Sequence, residues 1–235
     1  MTTDDDKTRT TSGLSRRSIL TGAGVAATGA VALAAVGAGT AEADVPGAVA
    51  TGPHGSTVVE FRGRIQQTGS TGETFTSYGF LYSVRGAPDE DLFDGGTTDM
   101  GHALLTVYAT GQLVARVFDQ AVHALDIDGT LTVYQRSSPG ADWSDPLSFA
   151  VGTAVGAFAV TIQDVLTVFT PGKGLPVIAG DMRQSQSRAL GGSLAGHRFG
   201  VRGQRLRMSA NGLGTLVDPA TFNSLHEIAG NWTAV

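Results

Sequence analysis

The sequence predicts an all-β protein, a closed antiparallel β-barrel ahead of a sandwich as second choice. Three observations carry that expectation. Nine or ten segments alternate apolar and polar residues with period two, the mark of a half-buried strand. No long amphipathic helix and no repeat of fixed period interrupts them. The charged fraction is 16% and there are 33 glycines among 235 residues, a balance that suits a turn-rich β protein better than a helical one.

The strands begin only after a leader. Asp4-Asp5-Asp6 precede Ser15-Arg16-Arg17-Ser18-Ile19-Leu20, and no charge occurs from Ser18 to Thr40. The paired arginines Arg16 and Arg17, an Ala/Gly/Val-rich run and the small-x-small site Ala41-Glu42-Ala43 form, in that order, a twin-arginine export signal. Cleavage after Ala43 is expected, and with it a secreted, extracytoplasmic protein exported already folded. The apolar run is long enough for an uncleaved anchor, which needs ~20 residues. Its alanine and glycine content and the cleavage site favour removal. The chain has no Cys, which excludes a lipid-bearing cysteine, disulfides, thiolate metal sites and cysteine nucleophiles.

Residues 44–56, with two prolines and three glycines, are expected to be a flexible linker, and residues 57–235 a single barrel domain. Removing residues 1–43 takes away Lys7, Arg9, Arg16 and Arg17 with Asp4, Asp5, Asp6 and Glu42, so 12 basic residues face 17 acidic ones. That mildly acidic balance offers no footprint for nucleic acid, and none for an anionic membrane once the signal is gone.

In chain order, Thr57–Gln66 alternates, with Val59, Phe61, Gly63 and Ile65 on one face and Glu60, Arg62, Arg64 and Gln66 on the other. Gly69–Gly72 is a turn. Thr74–Val84 continues in β register with Tyr78, Phe80, Tyr82 and Val84 on one side. Pro88 to Phe93 suits a single helical turn, with proline early and acids following it. Gly95 to Gly101 is loop, and His102–Thr110 and Gln112–Phe118 are two further strands.

Asp128-Gly129 invites a hairpin turn, but residues 122–136 keep Leu125, Ile127, Leu131 and Val133 on one face only as an uninterrupted strand. Gly129 is then a bend or bulge. Ser137 to Gly140 is loop, Leu147–Gly152 a short strand and Val155–Thr170 a long, coiled one. The stretch Pro171-Gly172-Lys173-Gly174 ends it. Asp181 to Gly203 is expected to be a long loop with at most one short strand. Gln204–Ala210, Leu213–Val217 and Leu225–Trp232 complete the count as an irregular C-terminal extension of short strands.

Several of these segments are similar to a known family. Phe61-Arg62-Gly63, Thr76-Ser77-Tyr78-Gly79-Phe80-Leu81, Asp128 to Tyr134 and Phe149 to Phe158, with Gly152-Thr153 where a Gly-Gly pair is common, resemble the allene oxide cyclase and dirigent-type barrels. The resemblance spans residues 57–170 and stops short of Met182. It implies an eight-stranded barrel with an apolar cavity. It also implies cofactor-free cyclisation of a reactive small molecule, or the non-catalytic steering of one. No catalytic residue of the family maps onto this chain.

Candidate site residues come from strand parity. Asp164 shares its face with Phe158, Val160, Ile162, Leu166 and Val168. A carboxylate on a buried face is costly unless paired, and one in a barrel cavity can serve as a general acid or base. Tyr78, Tyr108 and Tyr134 are candidates to line an apolar ligand cavity, and His123 opens a strand on its apolar face. Asp126 and Asp128 share a face, with Arg116 or Arg136 as expected neighbours. Arg198, Arg202, Arg205 and Arg207 cluster, the last two on one solvated face. His54, His102, His123, His197 and His226 show no H-x-H or H-x-x-x-H spacing, so no local metal motif exists. Residues 44–235 lack G-x-S-x-G, S-x-x-K, P-loop and dinucleotide motifs. No cofactor is implied. The expected partners are the export machinery and a small apolar ligand. A cofactor-free cyclase or isomerase is the leading reading, a ligand-holding barrel the next, and a cell-envelope interaction protein without a cavity the third.

Overall fold

The chain from Gly47 to Val235 is described by a computed structural model, and the signal residues Arg16, Arg17, Ala41 and Ala43 lie outside that range. The described chain forms strands β1 (Ala48–Val49), β2 (Thr57–Thr68), β3 (Thr74–Val84), β4 (Leu105–Asp119), β5 (Val122–Gln135), β6 (Thr153–Thr170), β7 (Lys173–Ser187), β8 (Arg198–Phe199), β9 (Arg205–Asp218) and β10 (Asn223–Ala234). Eight of them close into an antiparallel barrel in the order β10-β2-β3-β4-β5-β6-β7-β9. The expected closed barrel is the fold.

Alternation dictates the barrel wall. β2 buries Phe61, Gly63, Ile65 and Gln67 and turns Arg62 and Arg64 outward, while β6 points Phe158, Val160 and Asp164 inward. Residues 122–135 form one strand, as the apolar parity requires. Gly129 neither bends nor bulges it. It pairs directly with Gly111 of β4, where a Cβ would overlap the Thr110 carbonyl oxygen and lie 2.9 Å from the Gly111 Cα, so glycine permits close approach of two strands. The irregularity sits instead on β4, between Leu113 and Ala115. Residues 105–119 are therefore one strand with a bulge rather than two strands.

Five further expectations are corrected. Leu147–Gly152 is not a strand. Pro146–Ala150 is a 3-10 turn capped by the Asp145 carboxylate, which accepts from the Leu147 N–H, and it buries Phe149 on the outer face of β3 and β4. The stretch from Asp181 is not simply loop, because β7 runs on to Ser187 as a full barrel strand. Gln204–Ala210 and Leu213–Val217 are one strand, β9. The C-terminal segments are not an extension, since β7, β9 and β10 are staves and β10 closes the barrel on β2. Nor is the part of the linker from Gly47 a free tether. Val49 and Ala50 are buried, and β1 pairs in parallel with β8.

The connections divide the two ends. Short hairpins join β2–β3, β4–β5, β6–β7 and β9–β10 at one end. The long connections, residues 85–104, 136–152 and 188–204, lie at the other, where β1 and β8 also sit. That second end is plugged with aromatics. Trp232, 1% exposed, packs on Phe61, Phe158 and Phe199 at 6.1, 5.5 and 6.5 Å between ring centroids.

Candidate functional site

The hairpin end stays open. A cleft of about 300 Å³ enters there, walled by Phe118, Leu125, Leu166, Val168, Leu216 and Phe222, with Lys173 and Thr215 also on its wall and Gln67, Ser224 and His226 beneath. Large apolar side chains around this end are exposed as well, among them Val117, Val122, Phe169 and Leu175. Phe222 holds a left-handed backbone, φ 60°, in the β9–β10 turn, a conformation costly for a bulky residue. Its ring rests against Phe118, 5.5 Å away, with the Arg116 guanidinium 5.3 Å from each ring.

Beneath the cleft lies a row of buried polar groups. Asp164 on β6 and His226 on β10 point inward, their side chains 3% and 1% exposed, with Asp164 Oδ2 3.4 Å from His226 Nδ1. The other imidazole nitrogen, Nε2, is 3.2 Å from Ser224 Oγ. Ser224 in turn is 3.1 Å from Gln67 Oε1, and Gln67 Nε2 donates to the Gly72 carbonyl at 2.7 Å. The Asp164 Oδ1 atom is buried without a hydrogen-bond partner. Asp164 also borders a second, smaller apolar cavity of about 50 Å³ inside the barrel, lined by Phe75, Val107, Ile127 and Ile178 among others, room for a water or two.

Small residues make this arrangement possible. Asp164 and His226 reach each other past β7 and β9, whose facing positions are the paired Gly174 and Gly214. A Cβ at 214 would stand 3.0 Å from His226 Cδ2, and one at 174 would stand 2.7 Å from Leu166 Cδ1. The two glycines thus leave the volume that the imidazole and Leu166 occupy.

Asp164 faces the interior as its parity predicts, and His123 reaches the cleft wall, its ring tilted against Phe118 with centroids 4.4 Å apart. Of the three tyrosines, Tyr78 borders the inner cavity of about 50 Å³, while Tyr108 and Tyr134 border neither that cavity nor the cleft. The side chains of Tyr78 and Tyr108, paired across β3 and β4, and of Tyr134 on β5 opposite Thr106, lie on the outer face of the wall. β3 buries both faces, Phe75 and Leu81 inside and Tyr78 and Phe80 outside under the 136–152 connection. Tyr78 packs against Phe149 and Trp143 at 5.2 and 5.9 Å, and Arg64 covers the Trp143 ring at 4.9 Å. Burial pushes the Tyr78 hydroxyl above its usual range, with the Arg64 charge pulling the other way.

Asp126 meets Gln163 instead of an arginine, Arg116 holds the Thr71 carbonyl, and Arg207 forms an exposed pair with Asp181. Among the described residues no three His, Asp or Glu side chains gather as metal ligands would. Ser224, His226 and Gln67 were the functional candidates not singled out from sequence. The signal was present: Ser224 and His226 share parity with Ile228 and Trp232, the same reasoning that exposes Asp164. Comparison with protein-family models, curated proteins and solved structures finds no match to this chain.

Proposed function

We propose that this chain is an exported, cofactor-free enzyme that takes a small apolar substrate into the mouth of the barrel and moves a proton on it, as a cyclase or isomerase. One observation carries the reading: a buried Asp164–His226 pair stands under a largely apolar cleft of about 300 Å³. The apolar wall would hold the substrate by burial, and His226 would give or take the proton while Asp164 fixes its ring. The twin-arginine leader and the resemblance of residues 57–170 to cyclase and dirigent barrels support the same reading.

A ligand-holding barrel without turnover is the second reading. It is favoured by the way Ser224 and Gln67 already occupy the cleft side of the imidazole. Mass spectrometry of small molecules extracted from the protein secreted into culture medium decides between them. Under the enzyme reading, the bound compound or its precursor is converted by the wild type and not by His226→Gln. Conversion unaffected by His226→Gln sinks the enzyme reading, and a protein that carries and binds no apolar molecule sinks both.

A further inference from the structure

We infer that Ser224 is a nucleophile and that the barrel mouth is an acyl-transfer site for small, largely apolar carboxylic esters. The inference rests on the proton-moving role proposed for His226 and adds a covalent step to it.

The three side chains stand in the order that such chemistry requires. A carboxylate, Asp164, faces one imidazole nitrogen at 3.4 Å, and a hydroxyl, Ser224, faces the other at 3.2 Å. The carboxylate lies within ion-pair reach of Nδ1 but makes no hydrogen bond to it as it stands; tightened in a substrate complex, Nδ1–H would donate to Oδ2 and leave the Nε2 lone pair free to take the serine proton. The constellation is recognised by geometry and role rather than by sequence order, and no nucleophile motif announces it here. Ser224 and His226 are two apart on β10, so the pleat turns both side chains to the same face.

The serine is set apart from an ordinary buried hydroxyl in two ways. It lines the cleft, so a substrate carbonyl can reach it. It also has two acceptors and a single proton. With the hydroxyl donating to Gln67 Oε1, His226 Nε2 must carry a proton and donate to Ser224 Oγ. With Nε2 bare, the hydroxyl turns to it. Gln67 cannot follow, because its amide is anchored on the Gly72 carbonyl. The network therefore has an idle and a primed setting that differ in whether Nε2 carries a proton.

In the primed setting, Ser224 Oγ adds to the ester carbonyl carbon as its proton passes to His226 Nε2, and the carbonyl π pair moves to oxygen. Collapse breaks the bond to the alcohol oxygen, which leaves with the proton from His226. Water then adds to the acyl-serine, giving its proton to His226, and Ser224 leaves with that proton restored. The balance is ester plus water to acid plus alcohol. A cleft of about 300 Å³ holds the volume of roughly ten waters, which selects short acyl chains.

The test uses the purified protein, a fluorophosphonate probe and p-nitrophenyl butyrate. The probe is expected to add to Ser224, located by fragmentation of the labelled peptide. Ester hydrolysis is expected to fall more than about a thousandfold in both Ser224→Ala and His226→Asn. The near-ultraviolet circular dichroism of buried Trp232 reports that each variant is folded. Hydrolysis within tenfold of wild type in folded Ser224→Ala, labelling elsewhere, or neither labelling nor hydrolysis in the wild type overturns the nucleophile. If Ser224→Ala still converts the copurified ligand and His226→Asn does not, the nucleophile fails while the proton-transfer reading stands.

Discussion

Replacing Asp164 and His226 together by leucine is expected to leave the barrel at least as stable as the wild type, while His226→Leu alone weakens it severely. With His226 protonated, unit charges 3.4 Å apart attract by about 5 kcal/mol at an effective dielectric of about 20. Against that stands the removal of both ions from water, several kcal/mol each. Their remaining groups do little to offset it, because Asp164 Oδ1 has no partner and His226 Nδ1 has no well-aligned hydrogen bond. The desolvation term wins, so the pair is a net cost to folding. His226→Leu strands a buried carboxylate and should cost about 3–5 kcal/mol. Asp164→Leu should cost less, since His226 keeps Ser224 as a partner. The double variant removes both charges, and its added side-chain volume beside Asp164 has the cavity of about 50 Å³ to fill. Urea unfolding followed by tryptophan fluorescence measures this. At a slope of about 2–3 kcal/mol/M, His226→Leu should lower the midpoint by roughly 1–2 M. A double variant as unstable as His226→Leu would refute the reasoning and make the pair a structural element instead of one retained for chemistry.

Two further perturbations probe the frame. Gly129→Ala must push β5 away from the Thr110 carbonyl and the Gly111 Cα, and a loss of about 1–3 kcal/mol is expected in the same urea assay; an unchanged midpoint would show that the two strands can part freely. Glu73 accepts from the Thr71 N–H and hydroxyl, and these bonds hold its carboxyl down at about 2 from an ordinary 4.5. A carboxyl lowered on folding stabilises the native state above its unfolded value and loses that effect as pH falls toward the folded one. Thermal midpoints should therefore favour the wild type over Glu73→Gln at neutral pH and converge near pH 2, and a constant difference across that range would contradict the assignment.

The legibility of the fold follows where the apolar residues point. β2, β5 and β6 carry β-branched and aromatic residues on the inner face, so period two locates them in sequence. β7 inverts the pattern: Gly174, Pro176, Gly180 and Gln184 point inward while Leu175 and Val177 are exposed, and the chain resembles a loop. β9 hides behind Asn211-Gly212-Leu213-Gly214, a turn by composition, yet those glycines face the interior and make room for neighbouring strands. Leu147, Phe149 and Val151 alternate like a strand, but Pro146 following the Asp145 cap starts a 3-10 turn. Asp164 was legible because one polar residue interrupts a strongly apolar face. His226 carries the same parity signal, but its pairing with Asp164 spans two intervening staves, which no local pattern encodes.

β10 joins β9 to β2, and the same strand carries Ser224 and His226. Asp164 and Gln67 belong to β6 and β2, earlier in the chain, and without β10 they would sit in an open sheet with two bare edges. A chain cut short of Asn223 would thus lack both the closed wall and two of the three reacting side chains. Chemical competence and mechanical closure become one event, so nicked or half-made copies would be inert rather than misdirected. Under the proposed folded export, the step that makes the protein fit to travel is also the step that arms it.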